Sequence, residues 1–132
     1  MKVIAYSVQP YEKELLAKAN QKKHDITLIF NSLNLETVLF AAGKLAVVVS
    51  GSDDVSAGII SKLAELGIKY ITMRSVSTGY VDMDAAWKYG IKLANTPDRQ
   101  DIAAQTIRNL DLWAINKCVG KACICSESCN KV

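Results

Sequence analysis

The sequence has one histidine, His24, and neither a GxGxxG nor a GxxxxGK[ST] motif. Chemistry that needs a pair of imidazoles, or a glycine-rich loop cradling a pyrophosphate, is thereby excluded. The first 117 of the 132 residues contain no cysteine, so no disulfide framework is expected to hold the fold. No apolar run reaches the ~18 residues of a membrane span. The opening MKVIAYS lacks the charged and then long apolar pattern of a secretory leader, and a cytoplasmic location is the expectation. Sixteen Lys and Arg against thirteen Asp and Glu leave a charge of only +3. These charges are scattered, with no basic stripe interleaved with aromatics, so neither nucleic acid nor a membrane is an expected partner.

What is present is enough apolar material for one packed domain, with 50% apolar and 22% charged residues. Short apolar runs at 2–7, 25–30, 45–49, 70–73 and 91–95 read as strands. Between them lie segments of helical character. Tyr11 to Ala19 places Leu15, Leu16 and Ala19 on one face. Asn34 is suited to cap a helix over 35–42, ended by Gly43. Ser56 is suited to cap one running to Leu66, ended by Gly67. A fourth spans Asp82 to Tyr89 and stops at Gly90. After Pro97, a long amphipathic helix from about Arg99 to Lys117 carries Ile102, Ala103, Thr106, Ile107, Leu110, Trp113 and Ala114 at i, i+3, i+4 spacing. Wholly apolar strands joined through helices call for right-handed crossovers and a parallel sheet. The expectation is an α/β three-layer, flavodoxin-like sandwich with a five-stranded parallel sheet in the order 2-1-3-4-5. It would occupy residues 1–117, followed by a cysteine-rich tail at 118–132. Cys118, Cys123, Cys125 and Cys129 follow a C-x4-C-x-C-x3-C spacing that matches neither a zinc pair nor a common iron–sulfur run, so a frayed tail without metal is expected.

In such a sheet the ligand crevice lies beyond the carboxyl ends of the strands. Two loops there are rich in small polar residues, Ser50-Gly51-Ser52 and Ser75 to Gly79. Small residues let backbone N–H groups approach a carboxylate or phosphate, although both loops also suit ordinary strand-to-helix turns. Arg74 is suited to an anion or to a neighbouring carboxylate. Asp53-Asp54 reads as a cap of the following helix in preference to a cation site. His24, at the opposite end of its strand, reads as a surface residue. Tyr6, Tyr80 and Trp87 read as packing residues, and Trp113 as an anchor to the sheet. Ser50, Gly51, Ser52, Arg74 and Tyr80 make up the expected cleft wall.

The run Val47 to Ser61, and above all Leu63 to Pro97 with its pattern L..LG.KYI..RS....VD..AA..YGIK.AN.P, resembles the D-2-hydroxyacid dehydrogenases of the D-lactate dehydrogenase group. The match is to the first part of their substrate-binding domain. In that family the chain then crosses into an NAD-binding Rossmann domain and returns as a terminal helix. Here Asp98 to Trp113 follows directly and is similar to that returning helix. The resemblance therefore implies a substrate-binding domain with the Rossmann segment missing, no catalytic residue, no cofactor bound by this chain, and no catalysis by it alone. It implies that the backbone N–H groups of Val76 and Ser77 face a substrate carboxylate, with Ser77 where a glycine is usual and Gly79 where Asp or Asn is common. A small 2-oxo or 2-hydroxy acid would bind at most weakly, and the uncovered crevice face would be open to self-association. The alternatives within the same fold are a phospho-receiver, which needs acids after the first strand and an Asp at the end of the third, and a flavin carrier, which needs a Ser/Thr/Gly phosphate loop after the first strand. The turn Ser7-Val8-Gln9-Pro10 supplies neither.

Overall fold

Alternation of side chains along a strand sends neighbouring residues to opposite faces of a sheet. In the computed structural model, which describes residues 1–124, the first strand, β1 (Lys2–Ala5), shows the consequence. Ile4 enters one core together with Val47, Val49, Ile71 and Met73, while Val3 and Ala5 enter a second with Ala46 and Val48. A strand buried on both faces must be apolar throughout, and β3 (Ala46–Val49) is completely buried.

The strands β2 (Asp25–Leu28), β4 (Tyr70–Met73) and β5 (Lys92–Ala94) complete the parallel part, in the order β2-β1-β3-β4-β5. On one face lie α2 (Ala57–Glu65) and α3 (Met83–Lys88), which contribute Ile59, Ile60, Leu63 and Ala86. On the other lie α1 (Pro10–Asn20) and α4 (Ile102–Ala114), which contribute Leu16, Ile107, Leu110 and Trp113. The Trp113 ring stacks on Tyr70 of β4 with centroids 4.9 Å apart, so α4 is seated on the sheet. None of the helices of the described residues is long and apolar enough to cross a membrane.

Several elements differ from the sequence reading. The sheet has a sixth strand, β6 (Cys123–Ile124), antiparallel to β5 and drawn from the expected frayed tail. The Asn95 N–H donates to the Ala122 carbonyl and the Trp87 indole N–H to the Ile124 carbonyl, so this stretch caps the sheet edge. Cys125 and Cys129 lie outside the described residues. The helix expected at 35–42 is a single 3-10 turn, Val38–Ala41. The Asn34 carboxamide oxygen accepts from the N–H groups of Glu36 and Thr37, which fixes a turn. Val38 and Ala41 are both buried, at the three-residue spacing that a 3-10 helix eclipses. The second strand stops at Leu28 because the regular ladder ends there: at Ser7, whose φ is 56°, the register shifts, with the Val8 N–H donating to the Ile29 carbonyl and the Ser7 N–H to the Asn31 carbonyl. Leu15 is 54% exposed: it sits a helix step of about 100° from the buried Leu16, and only one of two consecutive residues can face the sheet.

Candidate functional site

The segments that follow β1, β2 and β3 meet around one buried carboxylate. Asp53 accepts the Ser7 hydroxyl (2.6 Å) and the N–H groups of Leu33 (2.8 Å) and Ser50 (2.7 Å). It therefore ties together the segments after three strands, and this corrects its reading as a helix cap. Asp54 does serve the approach to α2, accepting from the N–H of Ser56. The Ser50 to Ser52 loop is closed by Asp53 on itself, since the Asp53 N–H also donates to the Ser50 carbonyl, while Gly51 and Ser52 stay exposed.

Arg74 is not part of an open wall. Its side chain is 3% exposed, its guanidinium is ion-paired with Glu12 of α1, and one nitrogen donates to the carbonyls of Tyr6 (2.8 Å) and Ser7 (3.1 Å). Arg74 thus braces the turn after β1 against the end of β4, in the role of a carboxylate partner. The side chain of His24 is 5% exposed and bonds Asp111 of α4 at 2.8 Å, which corrects its assignment to the surface. It does lie at the opposite end of the sheet from the crevice, preceding β2.

The loop after β4 is held by its carbonyls. The Asn95 carboxamide donates to the Val76 carbonyl (3.1 Å), and the Ser75 hydroxyl donates to the Ser77 carbonyl (2.8 Å). Among the described residues the N–H groups of Val76 and Ser77 make no hydrogen bond to the protein, and both residues are exposed. Neither Ser77 nor Gly79 has a positive φ, so a side chain at 77 fits the local backbone. The anchor Asn95 is itself held by α4, whose buried Asn109 donates to the Asn95 carbonyl and to the Thr72 hydroxyl, both at 3.0 Å. Sequence reasoning missed Asp53, Asn95 and Asn109 as organising residues. The one available signal was an amide side chain among the apolar positions of α4.

Beside this loop, Asp53, Asp54, Val55, Ser56, Gly79, Tyr80, Val81 and Asp82 line an open cleft of about 410 Å³. Of the expected wall residues only Tyr80 lines it. The Tyr80 hydroxyl shares a hydrogen bond with the Ser75 hydroxyl. Burial pushes the Tyr80 phenol above its ordinary value and the Asp53 charge adds to this, against the opposing effects of the Ser75 bond and Arg74. Tyr6, whose hydroxyl donates to the Thr37 carbonyl, is likewise pushed up by burial and by Asp53. Both phenols stay protonated near neutral pH, as donors rather than bases.

Among the described residues, three of the four α-helix N-termini carry an acid where a pyrophosphate would sit; α2, with no cap bond from Ser56 and no acid in its first turn, is the exception. A pyrophosphate sits at a bare helix N-terminus. Here the Gln9 N–H ahead of α1 is taken by Glu12, the Ala85 N–H of α3 by Asp82, and the Ala104 N–H of α4 by Asp101. A phosphate would meet carboxylates at each. A phosphorylatable receiver Asp is disfavoured, because the carboxylate of Asp53 is buried and already accepts three hydrogen bonds.

Comparison with known proteins gives these features a family. The chain is 32% identical over 98 residues to an aromatic 2-oxoacid reductase of Clostridium sporogenes, covering 74% of this chain and 30% of that protein. It is 33% identical over 110 residues to the D-lactate dehydrogenase of Escherichia coli, covering 81% and 33%. The apo structure of D-lactate dehydrogenase from Escherichia coli superposes with a TM-score of 0.73 at 31% identity, over 76% of this chain and 32% of that one. D-2-hydroxyisocaproate dehydrogenase superposes with a TM-score of 0.70 at 28% identity, over 87% and 35%. The chain spans about a third of the length of these relatives. Residues 2–107 match the profile of the D-isomer specific 2-hydroxyacid dehydrogenase catalytic domain, and the chain belongs to that family.

Proposed function

We propose that this chain is the substrate-carboxylate wall of a D-2-hydroxyacid dehydrogenase and that it does not transfer hydride by itself. The observation carrying this reading is the loop after β4: the carbonyls of Val76 and Ser77 are tied down while their N–H groups, among the described residues, stay open. Two adjacent backbone donors on a fixed loop suit one carboxylate of a small 2-oxo or 2-hydroxy acid. Hydride transfer needs, in addition, a cofactor held against the substrate and a group to take the hydroxyl proton. The helix N-termini of α1, α3 and α4 are occupied by acids, and the only histidine pairs with Asp111 at the far end of the sheet. A cytoplasmic setting suits a fold whose first 117 residues hold no cysteine.

The test is a titration of the chain with pyruvate and with larger 2-oxo acids, followed by backbone amide NMR. Shifts centred on Val76 and Ser77, with affinity of about millimolar or weaker, are expected, since one wall leaves the ligand half solvated. NADH oxidation in the presence of pyruvate should not exceed a buffer blank. Turnover above the blank, or shifts confined to residues elsewhere, would overturn the reading.

A further inference from the structure

We propose that two copies of this chain associate through the open edge of β2 and the connection that follows it. This does not rest on the functional reading above. The connection between β2 and β3 exposes four large apolar side chains within eleven residues: Phe30 (69%), Leu35 (73%), Leu39 (58%) and Phe40 (52%). The same stretch buries Leu33, Val38 and Ala41 in the core beneath. A connection that met only solvent would need apolar residues on its inner side alone; this one carries them on both. With a phenylalanine side chain covering about 200 Å² and a leucine somewhat less, these four present roughly 400 Å² of apolar surface. That is within the range of the largest patch on a soluble monomer, usually a functional one. It is also close to the apolar share of the ~800 Å² that each partner brings to a standard interface.

The strand beside the patch supplies a reason for a second copy as the occupant. At one end of the sheet β5 is covered by β6, whereas among the described residues β2 has β1 as its one neighbour. The Asp25 N–H donates to the Met1 carbonyl and the Ile29 N–H to the Ala5 carbonyl, so the odd-numbered residues bond inward. Alternation then turns the backbone groups of Ile26 and Leu28 to the outer edge. A twofold axis through Thr27 sets Ile26 of one copy opposite Leu28 of the other, with each such pair exchanging both N–H···O bonds. Thr27 meets its own copy, a neutral pairing, and Asp25 falls opposite Ile29, so no charge in the strand faces its like. Patch and edge lie on one continuous segment, which makes the surface self-complementary in the way a twofold interface requires. The crevice face suits self-association less well, because beside Val76 it exposes Gly51, Ser52, Asp54 and Ser77.

Sedimentation velocity on the unmodified chain between about 1 and 100 μM tests this, with a shift from monomer to dimer expected across that range. Combining Leu39→Glu with Phe40→Glu should abolish the dimer, while Tyr89→Glu, which alters the exposed residue ending α3, should leave it intact. Hydrogen exchange on the unmodified chain guards against a misfolded variant. The amides of Ile26 and Leu28 should exchange more slowly as concentration rises, while that of Thr27, turned toward β1, should not respond. A monomer at every concentration, a dimer indifferent to the two glutamates, or amides at 26 and 28 that ignore concentration would each overturn the proposal.

Discussion

Ser7 donates its hydroxyl to Asp53 across 2.6 Å while its own backbone sits in the left-handed region at φ 56°. A non-glycine residue with positive φ persists where its surroundings over-determine it. Here the carboxylate holds the side chain and Arg74 holds the carbonyl. Replacing Asp53 with Ala orphans the Ser7 hydroxyl and the N–H groups of Leu33 and Ser50 at once. A loss of about 3–5 kcal/mol is expected in urea unfolding. Asp53→Asn keeps an acceptor and should cost about half as much.

The path from α4 to the carboxylate loop runs through two amides, Asn109 to Asn95 and Asn95 to Val76. Asn95→Ala removes a partly exposed contact and should lower stability by only about 1 kcal/mol. It should nevertheless speed amide exchange at Val76 and Ser77 and weaken 2-oxo acid binding several-fold, read by NMR titration. Unchanged exchange at both amides would show that the loop does not depend on Asn95.

Trp113 joins α4 to the sheet by stacking on Tyr70 at an interplanar angle of 20°. Trp113→Ala should cost about 3–5 kcal/mol, the range for a large buried aromatic. Loss of the near-ultraviolet circular dichroism signal together with a lower urea midpoint checks this. A cost under about 1 kcal/mol would mean that α4 is not integral to the core.

Asp111 is partly desolvated, which alone would raise its carboxyl, but hydrogen bonds and charge from Lys23 and His24 outweigh this and hold it below the ordinary carboxylate range. A carboxyl depressed in the folded state binds its proton less readily than in the unfolded chain. Its contribution is therefore complete above the unfolded value near 4 and is lost as pH falls through the folded value. The stability difference between the wild type and Asp111→Asn should accordingly be constant between about pH 5 and 6 and shrink as pH drops below about 4. Urea midpoints at each pH measure it, and a difference that grows on acidification would reverse the assignment.

The five parallel strands and their order were legible because each strand is a short apolar run and each crossover carries a helical period, both local properties of the chain. The two polar loops were legible for the same reason: Gly51 and the serines around it break an apolar pattern. The sixth strand was not, since two residues, Cys123 and Ile124, have no period to read, and only the uncovered edge of β5 makes them a strand. The 3-10 turn at Val38–Ala41 escaped because Asn34 caps a helix and closes a turn with the same side-chain bonds.

Sequence alone determined the alternation of strands and helices, the parallel topology, the kinship with 2-hydroxyacid dehydrogenases, and the lack of a phosphate-cradling loop. Tertiary structure decided which polar groups meet: Ser7 with Asp53 across 46 residues, Glu12 with Arg74 across 62, and His24 with Asp111 across 87. Hydrophobic periodicity is set by neighbours three or four places away. The partner of a buried charge is whatever the folded sheet places across from it, and no local pattern encodes that choice.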